Sequence, residues 1–165
     1  MGNSDHENNY REVVEAAIEK HGGAYDALIP ILLDVNKAYG YIPIQAIREV
    51  RKQVNLPEDG VLVPEGRLFS LASFYHMLST KPRGRHVVVF CESAPCHVAG
   101  GRRVWQMLEE ELSIKAGETS PDGKWSLVTT SCLGVCGVGP VIVIDDDMYG
   151  NVTPERLPEI LGLYD

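Results

Sequence analysis

His86-Val87-Val88-Val89-Phe90-Cys91-Glu92-Ser93-Ala94-Pro95-Cys96 runs an apolar, β-branched segment straight into a small loop that carries two cysteines. A short apolar run of this kind, bounded by turn residues, reads as a buried strand. The event recurs downstream, where the strand-like Trp125–Thr130 leads into Ser131-Cys132-Leu133-Gly134-Val135-Cys136-Gly137-Val138-Gly139-Pro140. Between the two, Val98–Leu112 places Gly101, Val104, Trp105, Leu108 and Leu112 on one side of a helix. Strand, helix and strand predict a right-handed parallel crossover. If the two strands are neighbours, both cysteine loops leave the sheet at the same end and their four thiols converge.

Working outward, Val141–Ile144 reads as a third strand and Asp145–Gly150 as a turn into a short fourth. Thr153-Pro154 then caps a last helix carrying Leu157, Ile160, Leu161 and Tyr164. This order gives a thioredoxin-like α/β layout with a mixed sheet. Upstream the hydrophobic period is helical instead. Tyr10, Val13, Val14, Ala17 and Ile18 form one face, ended by Gly22-Gly23; Leu28, Ile31, Leu32, Val35 and Tyr39 form a second, ended by Gly40. Pro43 opens a third helix with Ile44, Ile47, Val50 and Val54. Asn55–Gly66 reads as a loop, and a fourth helix carries Leu68, Leu71, Ala72, Tyr75 and Leu78. The fold class expected is α+β: a helical bundle over residues 1–80, then a thioredoxin-like domain over 81–165, divided near Lys81-Pro82-Arg83-Gly84.

Composition sets the outer limits. The 165 residues are 44% hydrophobic and 23% charged, ordinary globular values that exclude disordered and fibrous classes. No apolar run approaches the roughly 20 residues that span a bilayer, and Met1–Asn9 lacks the basic start and apolar core of a secretory signal. A cytoplasmic chain without membrane insertion is expected, and its cysteines are then unsuited to structural disulfides. The net charge of −8 divides evenly between the halves and repels phosphate backbones, so nucleic acid is not an expected partner.

Cys91, Cys96, Cys132 and Cys136 are all the cysteines there are, and they form two close pairs at equivalent strand ends. Buried free cysteines fit such clustering poorly. A thiol oxidoreductase needs Cys-x-x-Cys at a helix start, which is absent. A four-cysteine zinc site tolerates the spacings. The second loop favours iron and sulfide: Gly134, Gly137 and Gly139 let backbone N–H groups approach a sulfur-rich cluster whose negative charge grows on reduction. His97 is a candidate to tune such a cluster by hydrogen bonding. Asp145-Asp146-Asp147 lacks the alternating spacing of a calcium loop and reads as a solvated turn. Glu109–Glu111 reads as a solvated helix end, and Phe74-Tyr75 as core packing. No glycine-rich loop leads into a helix as dinucleotide binding requires.

These motifs resemble one family. Cys91-Glu92-Ser93-Ala94-Pro95-Cys96-His97, Cys132-Leu133-Gly134-Val135-Cys136-Gly137, Gly139-Pro140, the segment Leu112–Thr119, and Ala38-Tyr39-Gly40-Tyr41-Ile42-Pro43 look like the thioredoxin-like 2Fe–2S subunit of NADH dehydrogenases. This is the 24-kilodalton, or E-type, subunit of complex I. Related subunits serve NAD-linked and electron-bifurcating hydrogenases and formate dehydrogenases. The resemblance implies one 2Fe–2S cluster, with Cys91 and Cys96 on one iron and Cys132 and Cys136 on the other. It implies docking, in part through the helical half, on a flavoprotein subunit that binds FMN and NAD(H). The chain is then part of an NADH-dependent oxidoreductase with no catalytic residue for hydride transfer of its own. A zinc-stabilised interaction module is the alternative from a different class.

Overall fold

The computed structural model describes residues 4–54 and 62–164, which divide into two compact units, Met1–Pro82 and Arg83–Asp165. In the first unit, α1 (Ser4–His21) ends where Gly22 turns to φ 84°. After a single turn at Tyr25–Ala27, α2 (Leu28–Tyr39) runs to Gly40, whose φ of 74° closes the helix in the left-handed region. Pro30 falls in the first turn of α2, where its missing N–H has no intrahelical partner to lose. α3 (Ile44–Gln53) and α4 (Glu65–Phe74) each start on a proline in extended conformation, Pro43 and Pro64. Val14, Ile31, Leu32, Val35, Ile47, Val50, Leu68 and Ala72 meet in one buried cluster. These are the positions that the helical period selects, so the unit is held by apolar burial across the helices.

Two boundaries differ from the sequence reading. The expected loop Asn55–Gly66 lies outside the described residues up to 61, and its end is helical, because α4 begins at Glu65. The same helix stops at Phe74. Tyr75 takes an extended conformation, and Leu78 reaches the core through a turn in which its N–H donates to the Tyr75 carbonyl at 3.0 Å. That break rotates Phe74 out, leaving it 79% exposed, while Tyr75 packs on the core. Phe74 is therefore not a core residue.

The second unit is a four-stranded sheet in the order β2-β1-β3-β4. β1 (His86–Cys91) lies parallel to β2 (Trp125–Thr130) with Cys91 opposite Thr130, and antiparallel to β3 (Ile142–Ile144) with Phe90 opposite Ile142. β4 (Asp147–Tyr149) pairs antiparallel with β3 at the edge. After a one-turn helix, α5 (Ala94–Cys96), and a kinked turn, His97–Gly101, α6 (Arg102–Leu112) lays Val104, Leu108 and Leu112 on Phe90, Leu127, Ile142 and Ile144. A short α7 (Leu157–Leu161) adds Leu157 and Ile160 to the same core.

The expected helix Val98–Leu112 is thus broken: Gly100 sits at φ 103°, and the regular helix starts only at Arg102. Nor is Asp145–Asp147 a merely solvated turn. Asp145 accepts the Val87 N–H at 2.9 Å and pairs with His86 Nδ1 at 2.7 Å, and Asp147 accepts the Tyr164 hydroxyl at 2.9 Å. Glu109 holds the Lys115 ammonium at 3.1 Å. Among the described residues no helix is long and apolar enough to cross a membrane.

Candidate metal centre

Cys91 closes β1, and its position is fixed from both sides. Its own N–H donates to the Val141 carbonyl at 3.2 Å, and the N–H of Glu92 donates to Thr130 at 3.1 Å. Five residues on, Cys96 ends α5, where the His97 N–H returns to the Ser93 carbonyl at 3.1 Å. Both sulfurs are interior: Cys91 is 2% exposed and Cys96 1%, in a small cluster with Val141, Leu133 and Val135. Cys132 and Cys136 are exposed instead, and their sulfurs lie 3.3 Å apart as free thiols. The loop that carries them is tied down beyond Cys136. The Asn151 N–H donates to Val138 at 2.6 Å, and the Val152 N–H to Pro140 at 3.1 Å.

The parallel pairing of β1 with β2 brings both cysteine loops to one end of the sheet, but it does not gather the four thiols on one point as the sequence reading expected. The sulfurs are grouped two and two, and Cys136 acts electrostatically on both Cys91 and Cys96. Among the described residues, no three or more His, Cys, Asp or Glu side chains gather in a group that could hold a single metal ion. Two glycines let the backbone pack closely here. A Cβ on Gly101 would stand 2.6 Å from the Cys96 carbonyl oxygen, and one on Gly139 would stand 3.3 Å from the Cys96 sulfur.

The thiols are differentiated by what surrounds them. Burial pushes the Cys91 thiol up, but it is outweighed by backbone N–H donors at Ser93 and Leu133, by the Cys96 thiol and by the Ser93 hydroxyl, so the net direction is down. Cys96 moves up, first by burial and then by its contact with Cys91, against one donor, the Val141 N–H. The Cys132 thiol, then burial, raise Cys136. The Cys91–Cys96 pair therefore favours sharing a proton over holding two negative charges. Two bare thiolates per pair need a compensating positive centre, and a thiophilic metal supplies it. The chemistry of the donor set fits two iron ions, each taking two soft sulfur ligands, with N–H donors around them.

Sequence reasoning named the four cysteines and expected N–H groups of the glycine loop near sulfur, and the Gly134 N–H donates to the Cys132 sulfur at 3.4 Å. It missed the donors at Ser93, Leu133 and Val141, because a backbone N–H belongs to almost every residue and leaves no mark in a sequence. It also missed the Asn151–Val152 clamp. The His97 ring is exposed and stands edge-on to Phe90, with 6.4 Å between centroids.

Residues 14–165 match the family described as thioredoxin-like 2Fe–2S ferredoxin. The E-type subunit of the NADH-quinone oxidoreductase of Escherichia coli (strain K12) is 36% identical over 154 residues, covering 93% of this chain and 89% of that protein. The HndA subunit of the NADP-reducing hydrogenase of Solidesulfovibrio fructosivorans is 32% identical over 158 residues, 94% of this chain and 86% of that protein. Among solved structures, an NAD+-reducing NiFe-hydrogenase in the air-oxidised state is similar in fold, with a TM-score of 0.65 at 22% identity over 79% of this chain. This chain spans 22% of the length of that one. The chain belongs to the thioredoxin-like 2Fe–2S ferredoxin family.

Proposed function

We propose that the chain is the 2Fe–2S electron-transfer subunit of a multi-subunit, NADH-dependent oxidoreductase of the NADH:quinone type. In this reading Cys91, Cys96, Cys132 and Cys136 hold one cluster, and the chain exchanges single electrons with the FMN of a partner flavoprotein that also binds NAD(H). The observation that carries the reading is the grouping of four sulfurs two and two at the ends of neighbouring parallel strands. A single zinc ion needs four ligands around one point; a two-iron cluster needs two ligands on each side. The grouping therefore supports iron over the zinc-stabilised module.

Bound there, a 2Fe–2S cluster supplies one-electron redox chemistry. The residues of the chain do the rest. Four thiolates hold it, and N–H groups at Ser93, Leu133, Gly134 and Val141 donate toward sulfur and offset negative charge. Burial of Cys91 and Cys96 keeps water from one side, while the exposure of Cys132 and Cys136 leaves the other open to a partner. No residue of the chain is assigned to hydride transfer. In the helical unit Phe69, Phe74 and Met77 are 46%, 79% and 57% exposed, which supports a part in docking. Four free thiols suit a reducing compartment, and we place the chain in the cytoplasm.

A second reading, the equivalent subunit of an NAD(P)-linked or electron-bifurcating hydrogenase or of a formate dehydrogenase, is favoured by the hydrogenase relative; the co-purifying subunits decide between the two. The test of the shared claim is low-temperature EPR of the cluster-loaded chain with NADH. The reduced-cluster signal is expected only when the FMN-bearing subunit is added. A full signal with NADH alone would overturn the assignment of the flavin to a partner.

A further inference from the structure

The loop that carries Cys132 and Cys136 is held in part from outside its own sequence. Within the loop, the Val138 N–H donates to the Val135 carbonyl at 3.1 Å, and the Gly139 N–H to the Cys136 carbonyl at 3.2 Å. Gly139 also lies against the Cys96 sulfur, where a Cβ would stand at 3.3 Å. It therefore touches one member of each cysteine pair, and a shift of this segment moves one pair against the other.

Two N–H groups from the turn after β4 pin the segment. Asn151 donates to the Val138 carbonyl at 2.6 Å and Val152 to the Pro140 carbonyl at 3.1 Å. The fit is tight, since a Cβ on Gly150 would stand 3.0 Å from both the Val138 side chain and its carbonyl oxygen. Asn151 sits at φ 50°, a left-handed conformation that a residue with a Cβ keeps only where its surroundings hold it. Arg156 is part of those surroundings. Its Nη1 donates to the Asn151 carbonyl at 3.1 Å and to the Gly150 carbonyl at 3.4 Å. The Arg156 backbone is anchored in turn: its N–H donates to the Thr153 carbonyl at 3.1 Å, its carbonyl accepts the Ile160 N–H at 3.1 Å, and the adjacent Leu157 is fully buried.

We propose that Arg156 is a positioning residue for the cluster. By holding the Gly150 and Asn151 carbonyls, it keeps the Asn151 and Val152 N–H groups on the segment that seats Gly139 beside Cys96 and Cys136. This role rests on the cluster proposed above for the four cysteines and adds a residue outside both cysteine loops that controls how firmly they hold it. A guanidinium has no lone pair to offer a metal, so Arg156 acts through Asn151, Val138 and Gly139 and not as a ligand. Its side chain is exposed, and substitutions at such surface positions change overall stability little. The consequence of losing it therefore falls on the cluster before the fold.

The experiment compares the cluster-loaded, full-length chain as wild type, Arg156→Ala, Arg156→Lys and Gly150→Ala. It reads the rate of iron loss to excess EDTA, hydrogen exchange by mass spectrometry over residues 149–153 and 86–91, and EPR of the dithionite-reduced cluster. Arg156→Ala is expected to keep the far-UV circular dichroism of wild type yet lose iron about tenfold faster, the order expected for one hydrogen bond from a charged donor. Its exchange is expected to rise over residues 149–153 and not over 86–91, and its EPR g values to shift. Arg156→Lys keeps a charged donor for the carbonyls and is expected to recover most of all three readings. Gly150→Ala leaves Arg156 in place but pushes on Val138, and is expected to lose iron faster as well. Wild-type iron loss and EPR in a folded Arg156→Ala, or an Arg156→Lys no better than Ala, would overturn the inference and leave the cluster standing. Should Arg156→Ala fail to fold, Gly150→Ala decides, and wild-type iron loss there would overturn the inference equally. A wild-type chain that takes up no iron and sulfide would remove the proposed cluster and the inference with it.

Discussion

Cys96 is the most confined of the four thiols. It is 1% exposed, its sulfur has the Gly139 backbone against it, and its carbonyl has Gly101 against it. Gly139→Ala adds a methyl group 3.3 Å from the sulfur, tighter than an ordinary contact, so either the loop or the thiol must shift. The expected result is a folded protein with reduced iron content, with the visible spectrum altered before the far-UV circular dichroism. Full iron content with an unchanged spectrum would show that the loop accommodates the methyl group without moving Cys96. At this scale the sequence was legible where chemistry is rare. Four cysteines in two short loops stand out, and so does a glycine run. Ser93, Leu133 and Val141 did not, because they contribute backbone donors whose aim depends on the fold.

At the scale of elements, hydrophobic period located the strands and every helix except the one-turn α5, but not their ends. The period continues past Phe74 to Leu78 and starts before Arg102, yet the chain leaves the helix at Tyr75 and is kinked at Gly100. An apolar side chain can reach a core from a turn as well as from a helix, so the pattern alone does not tell the two apart. The last segment is another case. Tyr164 lies beyond α7, and its hydroxyl meets that of Tyr149 at 2.7 Å and donates to Asp147, tying the C-terminal end to β4. Burial first, then the Tyr149 hydroxyl and the Asp147 carboxylate, hold its phenol well above the usual range. The folded state therefore keeps this proton more tightly than the unfolded chain. Its stabilisation is complete below the unfolded phenol pKa of about 10 and is lost as pH rises above that value. Tyr164→Phe is expected to lose about 1 kcal/mol at neutral pH. It is also expected to show a shallower alkaline decline than wild type, measured as urea midpoints across that range. Parallel declines in the two proteins would contradict this account of the tyrosine.

For the whole molecule, the division into Met1–Pro82 and Arg83–Asp165 leaves every candidate ligand, both strands that present them and the clamp at Asn151–Val152 in one unit. A fragment of residues 83–165 is expected to take up iron and sulfide as the full chain does, and to bind the flavoprotein more weakly for want of the helical unit. A fragment that cannot be reconstituted, beside a full chain that can, would show that the units depend on each other. The change of hydrophobic period, from helical before residue 82 to strand-like after it, falls beside this division. The central claim is that two pairs of cysteines hold a two-iron cluster. Metal and acid-labile sulfide analysis of the anaerobically purified chain tests it most directly, beside Cys136→Ala. The account predicts about two iron and two sulfide per chain, a visible chromophore bleached by dithionite, and loss of both in the variant. Stoichiometric zinc without sulfide, or full iron and sulfide retained in Cys136→Ala with an unchanged spectrum, would contradict it.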